Sequence, residues 1–198
     1  MNNIRVSKNR AFTLVEALIA VTILTFAVVG PLSTASRALV ASQIARDQLT
    51  ATYLAQEGVE YVRAMRDDAY LNAYKSGIAN TSQAAWTDFT TGGSNWSITN
   101  CKTTMCMVDT YPSVLMGTGG GLSLQPCGGS SPACKPLYMA NGMYTEQGGS
   151  GIATQFTRTI QATDNAAASN ENIVSTVSWS FHGTPYSVVV TDRLTPWQ

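Results

Sequence analysis

Apolar positions follow one another through residues 12–36 with almost no polar relief. Leu14, Val15, Leu18, Ile19, Val21, Ile23, Leu24, Phe26, Val28, Val29 and Leu32 fill the run, and Glu16 is its one charge. A stretch of about 20 apolar residues crosses a bilayer as a helix. A helix of a water-soluble core rarely stays uncharged on all its faces for that length. The pattern therefore predicts a membrane-crossing helix, against two alternatives. One is a buried core helix. The other is a secretory signal peptide, which needs a short apolar region ending in a small-x-small site, and Ala35 with its small neighbours leaves it open. Gly30-Pro31 lies near the far end of the run. Proline removes a backbone donor and clashes with the preceding turn, so a kink or local melting is expected there.

From Arg37 to about Tyr70 the pattern becomes amphipathic. Ile44, Ala51, Ala55, Val59, Val62 and Met65 recur at helical spacing, with Arg37, Arg46, Asp47, Gln56, Glu60 and Arg63 at polar positions. Ala51, Ala55 and Gly58 make this face partly small, which suits close approach of a sheet or of another helix. Its C-terminal half is expected to pack on a sheet of the same chain, although the pattern alone does not separate a core face from a partner face.

Beyond residue 76 the period shortens. "AAWTDFT" (84–90), "NWSITN" (95–100) and "MVDTY" (107–111) read as short strands, and "GTGGGLSLQPCGGSS" (117–131) as turns and loops. Three clearer strands follow. "TQFTRTIQAT" (154–163) puts Phe156, Arg158 and Ile160 on one face. "NIVSTVSWSF" (172–181) carries Val174, Val177, Trp179 and Phe181 on a mostly apolar face. "YSVVVTDRL" (186–194) is the third. "DNAAASNEN" links the first two and "HGTP" tightly links the second and third, which predicts an antiparallel meander.

Charge adds an orientation. Lys+Arg and Asp+Glu number 12 each, so no net charge points to nucleic acid as a partner. Only 12% of residues are charged, against about a quarter in ordinary soluble domains. Thr, Ser, Gly and Asn are abundant after residue 76, which fits an exposed, loop-rich β domain better than a cytosolic enzyme. Residues 1–10 hold Arg5, Lys8 and Arg10 and no acid. Cationic residues before a span keep that end in the cytoplasm, which implies that the C-terminal part is exported.

"RAFTLVEALIAVTIL" resembles the N-terminus of type IV pilins and of the pseudopilins of type II secretion. That family joins a short basic leader and a small residue to Phe-Thr-Leu-x-Glu and an apolar helix. The resemblance covers about residues 5–36, with weaker similarity up to about residue 70. It implies that prepilin peptidase cuts between Ala11 and Phe12 and methylates the new amine of Phe12. Glu16 then becomes the fifth residue of the mature chain. It implies further that Glu16 pairs with the N-terminal amine of a neighbouring subunit during filament assembly. The family usually has glycine before the cut, where this chain has Ala11, a small residue that some members also tolerate. On a helix rising 1.5 Å per residue, Glu16 would sit about 6 Å below Phe12. At that interfacial depth its cost falls below the roughly 2.5–3.5 kcal/mol quoted for the bilayer centre. A lone interfacial Glu that reaches headgroup water is the alternative. The chain's ending is similar in outline to the last strands of PilV-like or secretion-type minor subunits.

Other chemistry is thin. Cys101 and Cys106 bracket "KTTM", and Cys127 and Cys134 bracket "GGSSPA". Local pairing, Cys101–Cys106 and Cys127–Cys134, is the first choice for an exported domain. Crossed pairing and a four-thiolate zinc site are the alternatives, the spacing being loose for zinc. Asp164, Asn165, Asn170, Glu171 and Asn172 gather oxygen donors in one loop. Calcium on Asp164 and Glu171 is thus a weak candidate against a solvated hairpin loop. "MRDD" (65–68) reads as a solvated helix end, since adjacent carboxylates diverge by about 100°. The glycine-rich stretch lacks a phosphate-loop ending. His182 is the one histidine, and no nucleophile signature is present, so neither enzyme activity nor a cofactor is expected.

These readings converge on an α+β fold in which a long N-terminal helix packs on an antiparallel sheet, as in pilins. The expected organisation is a leader at 1–11, a transmembrane and filament-core helix at 12–36, an amphipathic exported half at 37–75, and a disulfide-containing β-rich domain at 76–198. The expected role is a minor pilin or pseudopilin in the inner membrane, later in a filament. Its partners would be prepilin peptidase, other pilins, an inner-membrane assembly platform and the lipid bilayer. The alternatives are a single-pass anchored surface protein or adhesin that never polymerises, and a tethered hydrolase, for which no acid, base and nucleophile come together in the sequence.

Overall fold

The computed structural model describes residues 13–92, 97–108, 124–129, 132–146, 151–164 and 170–196. The chain divides into two compact units, Met1–Ala45 and Arg46–Gln198. Helix α1 (Leu14–Lys75) belongs to both. It ends at Lys75. It passes through Pro31 without a break, so the expected melting is not seen. The hydroxyls of Ser33 and Thr34 donate to the carbonyls of Gly30 and Pro31 at this point.

In the second unit, α1 is followed by α2 (Thr81–Thr91) and α3 (Asn100–Thr103). A five-stranded antiparallel sheet follows, in the order β2 (Leu124–Cys127), β1 (Met105–Val108), β6 (Thr157–Asp164), β7 (Glu171–Phe181), β8 (Thr184–Leu194). A smaller sheet is ordered β4 (Met143–Thr145), β3 (Tyr138–Ala140), β5 (Ile152–Ala153). The β6–β7–β8 meander matches the prediction. His182 and Gly183 both have positive φ (49° and 81°), as a two-residue hairpin turn of right-handed strands requires. Thr184 thus pairs directly with Phe181.

Several local expectations are corrected. "AAWTDFT" lies in α2, because Ala85, Trp86, Phe89 and Thr90 form one buried helical stripe. In "NWSITN", residues 93–96 lie outside the described residues, Ile98 is fully buried in irregular chain and Asn100 opens α3. β1 starts earlier than "MVDTY", whose residues 109–111 lie outside the described residues. Leu124–Cys127, read as loop, forms β2 against β1. On β7 the inward face is the odd-numbered one: Ile173, Ser175, Val177 and Trp179 are buried, while Val174 is half-buried on the other face.

The C-terminal half of α1 lies against the large sheet. Tyr61, Val62, Met65 and Ala69 are buried with Ile160, Ala162, Ile173 and Leu194, and α2 adds Trp86 and Phe89. A second apolar cluster joins Ala51, Leu54 and Ala55 to Phe156, Val177, Trp179 and Leu137. Full burial of each larger side chain contributes about 1.5–3 kcal/mol. The small face anticipated in the sequence serves the chain's own sheet. A Cβ on Gly58 would lie 2.7 Å from Ser175 Oγ and 2.9 Å from Ile160 Cδ1, so glycine permits the close approach of helix and strands.

Arg158 is fully buried between the two clusters. Its guanidinium donates to Glu57 Oε2 (2.7 Å), to the Leu54 carbonyl and to the Val108 carbonyl, which ties α1, β6 and β1 together. Disulfides Cys101–Cys106 and Cys127–Cys134 secure α3 to β1 and the segment after β2, the pairing first chosen from the sequence. Each short loop so closed contributes about 2–4 kcal/mol.

At the sheet's β8 edge, Arg63 Nε donates to Asp192 Oδ2 at 2.8 Å. This bond holds the Asp192 carboxyl below its ordinary pKa and raises that of Arg63. A carboxylate with a lowered folded pKa stabilises the fold above its unfolded value and loses that contribution as pH falls through the folded one. Asp192→Asn is expected to cost up to about 1 kcal/mol at pH 7, since the pair is partly solvated. The deficit should fade below about pH 4, where the unfolded carboxylate protonates. Denaturant melts of both proteins at pH 7 and pH 3 measure this, and an equal deficit at both would refute it.

Candidate functional site

The first unit presents the candidate site. The large apolar side chains from Leu14 to Leu32 are all exposed, with Leu14, Phe26 and Leu32 more than two-thirds accessible. At 1.5 Å per residue the apolar run is about 30 Å long, matching a bilayer's hydrocarbon core. By length and composition α1 contains a helix able to cross a membrane, and the apolar window has none of its residues buried in the protein. A continuous apolar surface of that extent is not stable in water and requires lipid or other apolar helices.

Thr13 and Glu16 shape the start of this helix. The Glu16 backbone N–H donates to Thr13 Oγ1 at 3.3 Å, and Glu16 is the acid of the first turn. Thr13-Leu-Val-Glu16 thus has the form of a capping box, in which the hydroxyl satisfies the N–H three residues on. The carboxylate also faces the positive end of the helix dipole. Thr13 was not singled out in the sequence, although Thr-x-x-Glu before an apolar run signals it. The Glu16 side chain is exposed, so its charge remains available to a partner. Ala11, Phe12, Arg5, Lys8 and Arg10 lie outside the described residues.

The other candidates are placed as follows. Glu171 is buried and accepts from Lys102 Nζ at 2.6 Å, an ion pair between α3 and β7. Asp164 ends β6, opposite Glu171 in register, but its side chain is outside what is described, as are residues 165–169. No group of three or more His, Cys, Asp or Glu that could hold a metal occurs among the described residues. In "MRDD", Arg66 pairs with its neighbour Asp67 and reaches the Thr195 carbonyl. The Asp68 carboxyl is pushed up, first by burial and then by Asp67. His182 sits at the β7–β8 turn with its ring edge-on to Phe181. Arg158 and Glu57 were missed as a pair, being 101 positions apart with no local signal joining them.

In comparison with known proteins, residues 6–30 match the family described as the prokaryotic N-terminal methylation motif. No curated protein and no solved structure matches the chain. The matched stretch takes in the end of the basic segment, Ala11, Phe12, Thr13, Glu16 and most of the exposed apolar run.

Proposed function

From the premise that the chain carries the N-terminal methylation motif of type IV pilins and pseudopilins, we propose that it is a minor subunit of a pilus-like or type II secretion filament. The chain waits as a single-pass protein of the inner membrane, with its second unit exported. Prepilin peptidase removes residues 1–11 and methylates the Phe12 amine. Arg5, Lys8 and Arg10 keep the leader cytoplasmic. The mature subunit then passes through an inner-membrane assembly platform and joins other pilins by burying its apolar helix among theirs. Glu16 pairs with a neighbour's N-terminal amine and sets register. The role is structural rather than catalytic.

One observation carries this reading: the motif is in register with a capped, fully exposed apolar helix that continues into a helix packed on its own sheet. A leader, a cut site and a glutamate at a fixed offset are more than a simple anchor requires. The two disulfides suit an exported domain.

Co-expression of the full chain with a prepilin peptidase tests the proposal. The expected product lacks 11 residues and begins with N-methylated Phe12, and Ala11→Gly should be processed at least as fast. A chain that keeps its leader, with Ala11→Gly also uncut, would instead support an anchored surface protein or adhesin.

A further inference from the structure

We infer that α1 is docked on the sheet in two separately releasable sections, and that Arg46–Ala55 lifts away while the helix from Val59 onward stays in place. The inference stands whether or not the chain enters a filament. It begins with the division of the core. Ala51, Leu54 and Ala55 belong to the cluster built on Phe156, Val177 and Trp179, whereas Tyr61, Val62, Met65 and Ala69 belong to another. Between the two clusters lies a polar seam of Arg158, Ser175 and Glu57, with Gly58 on the helix. An apolar core that is interrupted by a polar layer loses the shared packing that makes its parts open together.

The two sections are unequally held. The first offers the sheet one leucine and two alanines. Its floor is not sealed either, since Tyr144, Tyr186, Val188 and Val190 are only partly buried. The second section is enclosed by α2 and α3 as well as by strands. The closed state also carries a local penalty. Trp179 Nε1 and Ser175 Oγ are buried without a hydrogen-bond partner among the described residues, one in the cluster under the first section and one at the seam. Lifting the first section would admit water to both groups, so opening there recovers part of its own cost. Gly58, one residue past Glu57, lowers the resistance of the helix to bending at the seam.

Arg158 is the latch. It reaches from β6 to the Leu54 carbonyl, in the last turn of the releasable section, and to Glu57 at the seam. Glu57 is 44% exposed, so its carboxylate can pass into water when the helix lifts, leaving the guanidinium on the Val108 carbonyl.

Thiol labelling tests this in the full chain in detergent micelles. All four native cysteines are in disulfides, so a single introduced cysteine is the free thiol. Ala55→Cys and Ala69→Cys probe the two sides of the seam, both positions being buried. Without denaturant, Ala55→Cys is expected to react with a maleimide at least about ten times faster than Ala69→Cys. Adding Glu57→Gln should accelerate the first and leave the second unchanged. Ala51→Cys provides a second probe of the same section should Ala55→Cys fold poorly. Equal rates at both sides, rising together with global unfolding, would overturn the inference, as would equal acceleration by Glu57→Gln.

Discussion

Gly58→Leu is expected to destabilise the second unit by about 3 kcal/mol or more, the range of a severe overpacking. The reason is a contact between backbone and sheet, since even a Cβ at this position meets Ser175 Oγ at 2.7 Å, Ile160 Cδ1 at 2.9 Å and Arg158 Cδ at 3.2 Å. These three atoms end or belong to flexible side chains, so alanine can be absorbed by small rotations. Alanine also regains about 1 kcal/mol of helix propensity, and Gly58→Ala should stay within about 1 kcal/mol of the natural protein. Leucine has no such escape. Its branch must either push α1 off β6 and β7 or displace the Arg158 side chain from its carbonyl and carboxylate partners. In thermal melts of the micelle-solubilised chain, about 2–4 °C is lost per kcal/mol at this size. The leucine variant should therefore melt about 6–12 °C lower, with the alanine variant close to wild type. A leucine variant that melts with the natural protein would mean that the helix does not sit this close to the strands.

Gly58 also illustrates what was legible in the sequence. Ala51, Ala55 and Gly58 announced a small face because a helix repeats locally, and that face is where the helix meets the sheet. Phe156, Arg158 and Ile160 shared a face by simple alternation, and His182-Gly183 announced its own turn. What failed to appear depends on distant chain. β2 has the unpromising sequence Leu-Gln-Pro-Cys and becomes a strand because β1 pairs with it. The three short strands of the smaller sheet are likewise made by pairing. In α2 the residue types favoured a strand while the spacing of Ala85, Trp86 and Phe89 favoured a helix, and burial against the core decided for spacing. Arg158 was placed on the right face, but its partner Glu57 was invisible, because nothing in a sequence says which of several acids on a helix will reach a given arginine. The N-terminal site was the reverse case. Its candidate residues are close in sequence, so motif and position name them without tertiary information.

Glu16→Gln is expected to insert in the membrane and be processed normally, yet to enter filaments at least about ten-fold less than the natural subunit. An order of magnitude corresponds to about 1.4 kcal/mol, well within reach of one charge-assisted contact in a partly desolvated setting. Glutamine is chosen because Glu16 has two local duties beside the proposed intermolecular one. In a Thr-x-x-Glu capping box its side chain is placed to reach back to the Thr13 N–H, and as the acid of the first turn it complements the helix dipole. Alanine would remove all three functions together, so a defect in Glu16→Ala alone would not tell them apart. Glutamine preserves the capping-box side chain and gives up only the charge, whose dipole share is about 0.3–1 kcal/mol at an exposed helix start. The apolar run is untouched, and losing a carboxylate near the interface makes insertion easier rather than harder. A filament-incorporation assay with both variants therefore separates the accounts. If charge pairing with a neighbour's amine sets register, Gln and Ala fail alike. If Glu16 matters only as a cap, Gln assembles as the natural subunit does and Ala alone is impaired, and the pairing role must then be abandoned.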